Sequence, residues 1–569
     1  MKHINAVTPA VNTLAKVCLS ASEKFKDRPA FAMLSEGVIS RRVSYSQMGQ
    51  RVRQFGSLLD MLGQENGAAL KGARVLLLSE NCPEWAIAYF GIAYAGAVSV
   101  PMLTGFSAEQ IQNIANHAEV SAVCISRAMA ERFNQNDKIQ AFSALPFIYI
   151  DSMTAEEDKE LRITVSVDGI EKTMRVPPCD SLPLSANFND QNQGDVNPND
   201  LASLVYTSGT QGNSKGVMLS HLNLISSALS SISYGKIYPR DRLLSVLPLA
   251  HSYECALGLI APVMSGSCIT YLDKPPSPSV LLPALKLLRP TIMISVPLLI
   301  EKIYNNAIAP KLNASKLYKF RLTRPLAARA AGVKLLSALG GKIRFFGIGG
   351  APLSSEVEKF LYSARFPYTV GYGLTEASPL VAGNTPLRFK INKGFIPPKG
   401  VRIRISECPE SAEAGIGEIQ VYGKNVMLGY YKDKIKTAEV ITPDGWLRTG
   451  DLGRIDNKGK LHIRGRIKAL ILGPSGENIY PEEIEGLLGS STLIEDALVY
   501  SGEKGELVAL VRLSETAKAV TGAVEHVLEE LLAWVNKKLA AFSRLNRIDI
   551  KNEPFEKTPT MKIKRYLYI

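Results

Sequence analysis

The sequence predicts an α/β protein. The expected plan is a large N-terminal domain of parallel-sheet α/β subdomains with a small β-rich subdomain, followed by a small mobile α+β C-terminal domain. Three observations predict it. Short β-branched runs alternate with helical patterns over most of the chain, as βαβ units require. Near Lys399 the texture changes to short alternating strands between Gly and Asp turns. After Arg466 comes a compact tail of about 100 residues, long enough for a domain of its own. At 569 residues the chain is also too long for a single core.

Taken in order, strands are expected at 74–78, 97–101, 122–125, 147–150, 243–247, 268–272, 291–296 and 342–348, with helices such as 107–117 and 278–288 between them. The uncharged stretch 85–108 is long enough to span a bilayer. Gly96, Pro101 and Gly105 interrupt it, so it reads as an Ala-rich buried helix, a turn and a short buried strand. The polar segment 151–200 reads as an excursion or linker carrying a hairpin at 163–176. The runs VRIRIS, GEIQVYG and GKLHIRG form the β-rich subdomain at about 399–466, which closes an N-terminal domain of 1–466. The tail, 467–569, holds a helix at 481–488, a strand pair at 497–500 and 507–513, and a long helix near 523–539.

Composition narrows the function classes. The net charge of +13 favours phosphate-bearing partners without choosing between nucleotide, nucleic acid and anionic lipid. No nucleic-acid recognition motif or aromatic–basic platform appears, which argues against a nucleic-acid protein. The seven cysteines are odd in number and none falls in C-x-x-C, so they read as reduced thiols of a cytoplasmic protein, not a disulfide frame or zinc site. The N-terminus lacks the continuous apolar run of a signal peptide.

The chemistry-bearing stretch is LVYTSGTQGNSKGVMLSHLNL, Leu204 to Leu224. Backbone N–H groups of a glycine loop, hydroxyls and one lysine can hold a polyphosphate. The candidates are Thr207, Ser208, Gly209, Thr210, Gly212 and Lys215. The spacing departs from a Walker A loop, because Gly216 follows the lysine where Ser or Thr would be needed. A flexible surface turn is the plain alternative. Three companions each end an expected strand: Gly349-Gly350-Ala351-Pro352, Gly371-Tyr372-Gly373-Leu374-Thr375-Glu376, and LPLAH up to His251. In open α/β sheets ligands bind beyond the carboxyl ends of strands, so these stretches are expected to converge on one crevice.

Together these motifs resemble the adenylate-forming enzymes: acyl-CoA synthetases, adenylation domains of peptide synthetases and luciferases. Members carry Y-T-S-G-T-T-G-x-P-K-G, G-Y-G-x-T-E, a T-G-D and R-x-K pair, and a lysine near P-T-x-G-K. This chain has all four in order over 204–565. ENCPEW followed by AGAVSVP is similar in particular to the long-chain fatty acyl-CoA synthetases. The chain departs from the pattern at Gln211, Ser214, Ala469 and Met561. The first two imply tuning of the loop, and Met561 bears on the backbone beside the tail lysine.

The resemblance implies roles. Tyr372 would stack on adenine, with Gly349, Gly350, Ala351, Gly371 and Gly373 giving close backbone approach. Asp451 would accept hydrogen bonds from the ribose hydroxyls, with Arg466 reaching the same side. Thr375 would donate to the α-phosphate and Glu376 would ligate Mg²⁺. Lys562 would stabilise the α-phosphate during attack, and Lys468 would be the hinge on which the C-terminal domain turns. His251 resembles the histidine between acyl pocket and CoA channel, a satisfied core histidine being the alternative.

The implied reaction is activation of a fatty acid, long-chain by resemblance, by MgATP to acyl-AMP and then transfer to CoA. Two rivals stay open: a ligase that loads an acyl carrier protein's phosphopantetheine arm, and a non-catalytic nucleotide-binding regulator. Peripheral contact with an anionic membrane is compatible with the basic charge.

Overall fold

The computed structural model describes residues 11–65, 71–135, 145–155, 160–167, 169–177, 196–207, 214–320, 322–391, 393–407, 415–472, 478–491, 493–502, 506–514, 517, 524–558 and 562–568. Two large sheets dominate the N-terminal part. In the seven-stranded sheet the spatial order is Tyr368–Val370, Phe345–Ile348, Ile292–Ser295, Arg242–Leu244, Cys268–Leu272, Pro29–Ser35 and Val38–Ser44. All of these run parallel except Val38–Ser44, which closes a hairpin on the edge. In the nine-stranded sheet the order is Gly429–Tyr430, Lys215–Ser220, Leu201–Thr207, Val98–Pro101, Arg74–Leu78, Val120–Ile125, Phe147–Ala155, Leu161–Val167 and Ile170–Val176. Its centre is parallel and both its flanks are antiparallel.

One hydrophobic cluster joins the two sheets. The helix Pro83–Tyr94 lies inside it with all twelve residues buried. Cys82 caps its start, Sγ accepting from Trp85 N at 3.4 Å, and Pro83 sits at the first helical position, where its missing N–H costs nothing. The helix ends before Gly96, whose φ of +71° turns the chain into Val98–Pro101. The uncharged stretch is therefore apolar because it is enclosed by protein. Among the described residues no helix is long and apolar enough to cross a membrane.

The small subdomain is a four-stranded antiparallel sheet ordered Val401–Ser406, Gly417–Gly423, Leu447–Ile455, Leu461–Arg466. Beyond it, Ile494–Ser501, Leu507–Leu513 and Arg547–Ile550 form a three-stranded sheet packed with Pro481–Leu488 and Val524–Asn536 around a separate core.

The expected α/β plan and nearly every expected element are present, with instructive differences. The segment 151–176 is no linker. Phe147–Ala155 runs five residues further than expected, and the hairpin Leu161–Val167/Ile170–Val176 pairs onto it as the outer flank of the nine-stranded sheet. Alternation in LRITVSV buries Leu161, Ile163 and Val165 while polar residues mask the outer strand, so a polar average hid a sheet edge. Residues 178–195 lie outside the described residues. The pair Gly429–Tyr430 falls within the β-rich stretch of sequence yet adds to the nine-stranded sheet. The strand expected at 342–348 begins only at Phe345, because Arg344 turns aside to pair with buried Asp241 and to cap Gly235 and Lys236 carbonyls.

Candidate functional site

Parallel strands put their carboxyl ends on one edge. Gly349 N donates to Ser295 O at 3.1 Å and Gly371 N donates to Ile348 O at 2.9 Å, so both glycine turns leave the same end of the seven-stranded sheet. Gly350 adopts φ +88°, a conformation side chains resist, which bends the chain away from the strand. At Gly373 a Cβ would stand 2.0 Å from Pro379 O, so only glycine allows the return strand Leu380–Ala382 to lie against Tyr372–Gly373.

Tyr372 and Asp451 meet above this edge. The tyrosine hydroxyl donates to Asp451 Oδ2 at 2.6 Å, and Arg466 Nε lies 3.0 Å from Oδ1. Asp451 and Arg466 are direct cross-strand partners, so the antiparallel register itself sets the pair. Burial, and then the aspartate beside it, hold the Tyr372 hydroxyl well above the usual phenol range. The Asp451 carboxylate likewise holds the Arg466 guanidinium more firmly charged. Arg448 meets Glu418 at 2.8 Å on the neighbouring strand, and Gly450 N donates to the same carboxylate at 3.2 Å, which fixes the turn that presents Asp451.

Thr375 and Glu376 follow directly. Thr375 Oγ1 lies 3.2 Å from Ser252 Oγ, tying the two strand-end loops together. Glu376 Oε1 accepts from Tyr430 OH at 2.9 Å, and Lys215 Nζ stands 5.0 Å over the Tyr430 ring. Tyr430 thus joins the carboxylate to the lysine of the glycine loop. The motifs did not single out Tyr430, and no spacing rule would have found it. Its signal is the strand Gly429–Tyr430 that pairs beside Lys215–Ser220. Thr207 and Lys215 are paired residues that close the hairpin of the loop. Ser208, Gly209, Thr210, Gln211 and Gly212 lie outside the described residues. Ala351 is exposed at the rim.

His251 N donates to Pro248 O at 3.0 Å, and Tyr253 N donates to His251 Nδ1 at 3.1 Å. The second bond makes Nδ1 an acceptor and leaves the proton on Nε2. Crowding around the ring pushes its pKa down to about 4, and the nearby Lys562 ammonium adds to this. The ring is therefore a neutral donor near neutral pH.

Lys562 arrives from the other end of the chain. Thr558 N donates to Lys562 O at 2.7 Å and Lys562 N to Thr558 Oγ1 at 3.2 Å, a tight hairpin whose tip lies outside the described residues. Its basic neighbours are committed elsewhere: Lys557 to Asp496 at 2.6 Å, Lys564 to Glu556 at 3.1 Å, Arg565 to Glu485 at 2.5 Å. Among the described residues Lys562 alone of these four has no ion pair. It is accessible in an open cleft, yet the protein atoms around it lower its pKa, as does Arg466, while Asp451 and Glu376 oppose the fall. The structure therefore brings Lys562, His251, Glu376, Asp451 and Arg466 into one electrostatic neighbourhood. Lys468 is exposed on the single turn Ile467–Ala469 that follows Arg466.

Behind His251 lies a buried acid. Ser245 Oγ donates to Glu254 Oε1 at 2.6 Å, Oε2 has no partner among the described residues, and Asn81 Nδ2 donates to Ser245 Oγ at 3.1 Å. A Cβ at Gly258 would stand 2.6 Å from the carboxyl, so that glycine makes room for it. Burial raises the Glu254 pKa from 4.5 to about 8. The folded state then binds a proton that the unfolded chain has released, and stability falls as pH rises from 4.5 to 8. The effect is of order 4 kcal/mol. Glu254→Gln should remove this slope and raise the Tm at pH 8 by about 2–4 °C. Thermal melts of both proteins from pH 5 to 8 check this, and parallel slopes would refute it.

Comparison with known proteins follows this geometry. Residues 19–431 match the family described as AMP-binding enzyme, and 469–568 match the AMP-binding enzyme C-terminal domain. The peroxisomal long chain acyl-CoA synthetase 6 of Arabidopsis thaliana is 30% identical over 97% of this chain and 86% of its own length. The long-chain-fatty-acid–CoA ligase FadD15 of Mycobacterium tuberculosis is 29% identical over 99% and 97%. Among solved structures, ATP-bound MatB from Rhodopseudomonas palustris superposes with a TM-score of 0.71 at 22% identity, covering 97% of this chain and 98% of that one. O-succinylbenzoate CoA synthetase (MenE) from Bacillus subtilis, in complex with ATP and magnesium ion, gives 0.70 at 21% identity with the same coverage. At these identities the structural likeness speaks for the fold.

Proposed function

The chain belongs to the family of AMP-binding enzymes, and from that premise we propose how its cleft works. The protein is an acid–thiol ligase that activates a fatty acid with ATP and passes the acyl group to CoA. A carboxylate is a poor acyl donor because oxide is a bad leaving group. In the first step a carboxylate oxygen attacks the α-phosphorus of ATP, the bond to the β-phosphate breaks, and pyrophosphate leaves. In the second the CoA sulfur attacks the acyl carbon, its proton is lost, the carbon–oxygen bond breaks, and AMP leaves.

The observation that carries this reading is the constellation at the strand ends, where Tyr372 and Arg466 hold the two oxygens of Asp451 at 2.6 and 3.0 Å. In it Asp451 accepts from the ribose hydroxyls, with Arg466 and Tyr372 fixing its two oxygens. Tyr372 lays its ring along the adenine, beside the backbone of Gly349, Gly350, Ala351, Gly371 and Gly373. The glycine loop and Lys215 hold the β- and γ-phosphates, and Thr375 donates to the α-phosphate. Lys562 meets the charge that grows on the α-phosphate as the carboxylate attacks, a preorganised contact of a few kcal/mol. His251, neutral and protonated on Nε2, stands where the carboxylate enters.

The donor set also fits Mg²⁺. Among the described residues no group of three or more His, Cys, Asp or Glu could enclose a metal ion, and Glu376 keeps one oxygen beyond the Tyr430 bond. Mg²⁺ commonly takes one or two carboxylates and completes its shell with phosphate oxygens and water. Glu376 would hold it, and the ion when bound would neutralise phosphate charge.

Lys468 is the pivot on which the C-terminal domain, 467–569, turns between the two steps, leaving the 1–466 domain in place. A cytoplasmic setting is supported by the five described cysteines, all free thiols. A single experiment tests the substrate and the acceptor. AMP and pyrophosphate release is measured over saturated acids from acetate to stearate, with CoA or a carrier protein as acceptor, and products are identified by mass spectrometry. We expect acyl-CoA with a maximum among the long chains. A maximum at acetate or an aryl acid removes the long-chain preference. Acyl transfer only to the carrier protein replaces the acceptor, and release of neither product removes the ligase.

A further inference from the structure

We propose that the helical segment 302–342 is the surface by which this protein docks onto an anionic lipid bilayer. The segment carries nine Lys and Arg residues and no Asp or Glu, so most of the chain's net charge of +13 is gathered on it. Aliphatic and aromatic side chains stand out among these cations: Phe320 is 69% exposed, Leu322 93%, Leu326 64% and Val333 67%.

The helix Arg324–Ala338 shows why this is a second face and not a frayed core. Its inner side buries Ala328, Gly332 and Leu335, spaced four and three residues apart. Gly332 packs so closely on Ala364 that a Cβ would stand 2.7 Å from its neighbour's. The helix has thus met its packing requirement on that side. At 100° per residue Leu326 and Val333 fall on the opposite side within about 20° of each other, flanked by Arg329 and Lys334, all four exposed. An apolar line between two cationic margins is the pattern of a helix lying in a membrane interface, its aliphatic groups at the acyl boundary and its cations among the headgroups.

The charge selects the occupant. Two copies of this face would repel, which disfavours self-association. Nucleic acid would be met by several stacking rings, whereas four of the five exposed large apolar groups here, Leu317, Leu322, Leu326 and Val333, are aliphatic and Phe320 is the single ring. Anionic lipid satisfies both the charge and the aliphatic line.

The test is cosedimentation of the full chain, without substrate, with vesicles of phosphatidylcholine alone or with about one third phosphatidylglycerol. We expect binding to the anionic vesicles, weakened by salt and by neutral composition. Arg329→Glu/Lys334→Glu should lose at least about tenfold in affinity, and Leu326→Asp/Val333→Asp a comparable amount. All four side chains are exposed, so the variants should melt within a few degrees of the parent, which shows that they are folded. Equal binding to both vesicle types would overturn the proposal. So would charge-reversed variants that bind like the parent, or capture by an anionic oligonucleotide in preference to vesicles. Because turnover is not the readout, failure of the ligase reading leaves this result interpretable.

Discussion

Lys562→Ala should reduce acyl-adenylate formation by about 10²–10³-fold while thioester formation from supplied acyl-AMP and CoA stays within a few-fold of the parent. The asymmetry follows from position. Of Lys557, Lys562, Lys564 and Arg565, Lys562 alone has no ion pair among the described residues, and Asp451 and Glu376 both act on its charge. In the proposed mechanism its contribution is to the charge that develops at the α-phosphate, absent from the second step. Lys564→Ala, which removes only the contact with exposed Glu556, is the control and should leave both steps near normal. Separate half-reaction assays decide the matter, and equal loss in both steps would refute the assignment.

Asp451→Ala should raise the KM for ATP by about 100-fold with a smaller change in kcat, since hydrogen bonds to charged groups commonly contribute 1.5–3 kcal/mol each. Two effects combine. The ribose loses its acceptor, and the Tyr372 hydroxyl and Arg466 guanidinium lose the carboxylate that fixes them. The Arg466 side chain is 54% exposed, so water recovers part of what it loses and the fall in stability should stay near 1–2 kcal/mol. Initial rates over a range of ATP, with a melt in parallel, separate the two effects. An unchanged KM for ATP would place the ribose elsewhere.

Most of the scaffold was legible because its signals are local. The strand Cys268–Leu272 and the helices Pro278–Leu288 and Pro481–Leu488 have the bounds expected from runs, caps and breakers. The gathering of Gly349, Gly371 and His251 at one edge was also legible, because parallel strands share a polarity. What escaped was long-range. Tyr430 lies 54 residues from the Glu376 it bonds, and only long-range pairing, in the sheet and through Met427 N to Glu376 O, brings them together. The buried carboxyl of Glu254 looks in sequence like an ordinary polar residue after His251. The hairpin expected at 163–176 is present at Leu161–Val176, but the polar outer strand masked its membership of the large sheet.

The ion pairs that bind Lys557, Lys564 and Arg565 to their own domain also determine how Lys562 can leave. Rotamer changes alone relocate an exposed side chain in nanoseconds, but here the backbone on both sides is fastened. In the proposed two-step mechanism, withdrawing the ammonium with its backbone would carry a body of about 100 residues through solvent, on the microsecond-to-millisecond scale of rigid-body motion. Hydrodynamic drag on that body, and so the viscosity of the medium, would then enter the turnover of an enzyme whose bond-making steps are themselves indifferent to it.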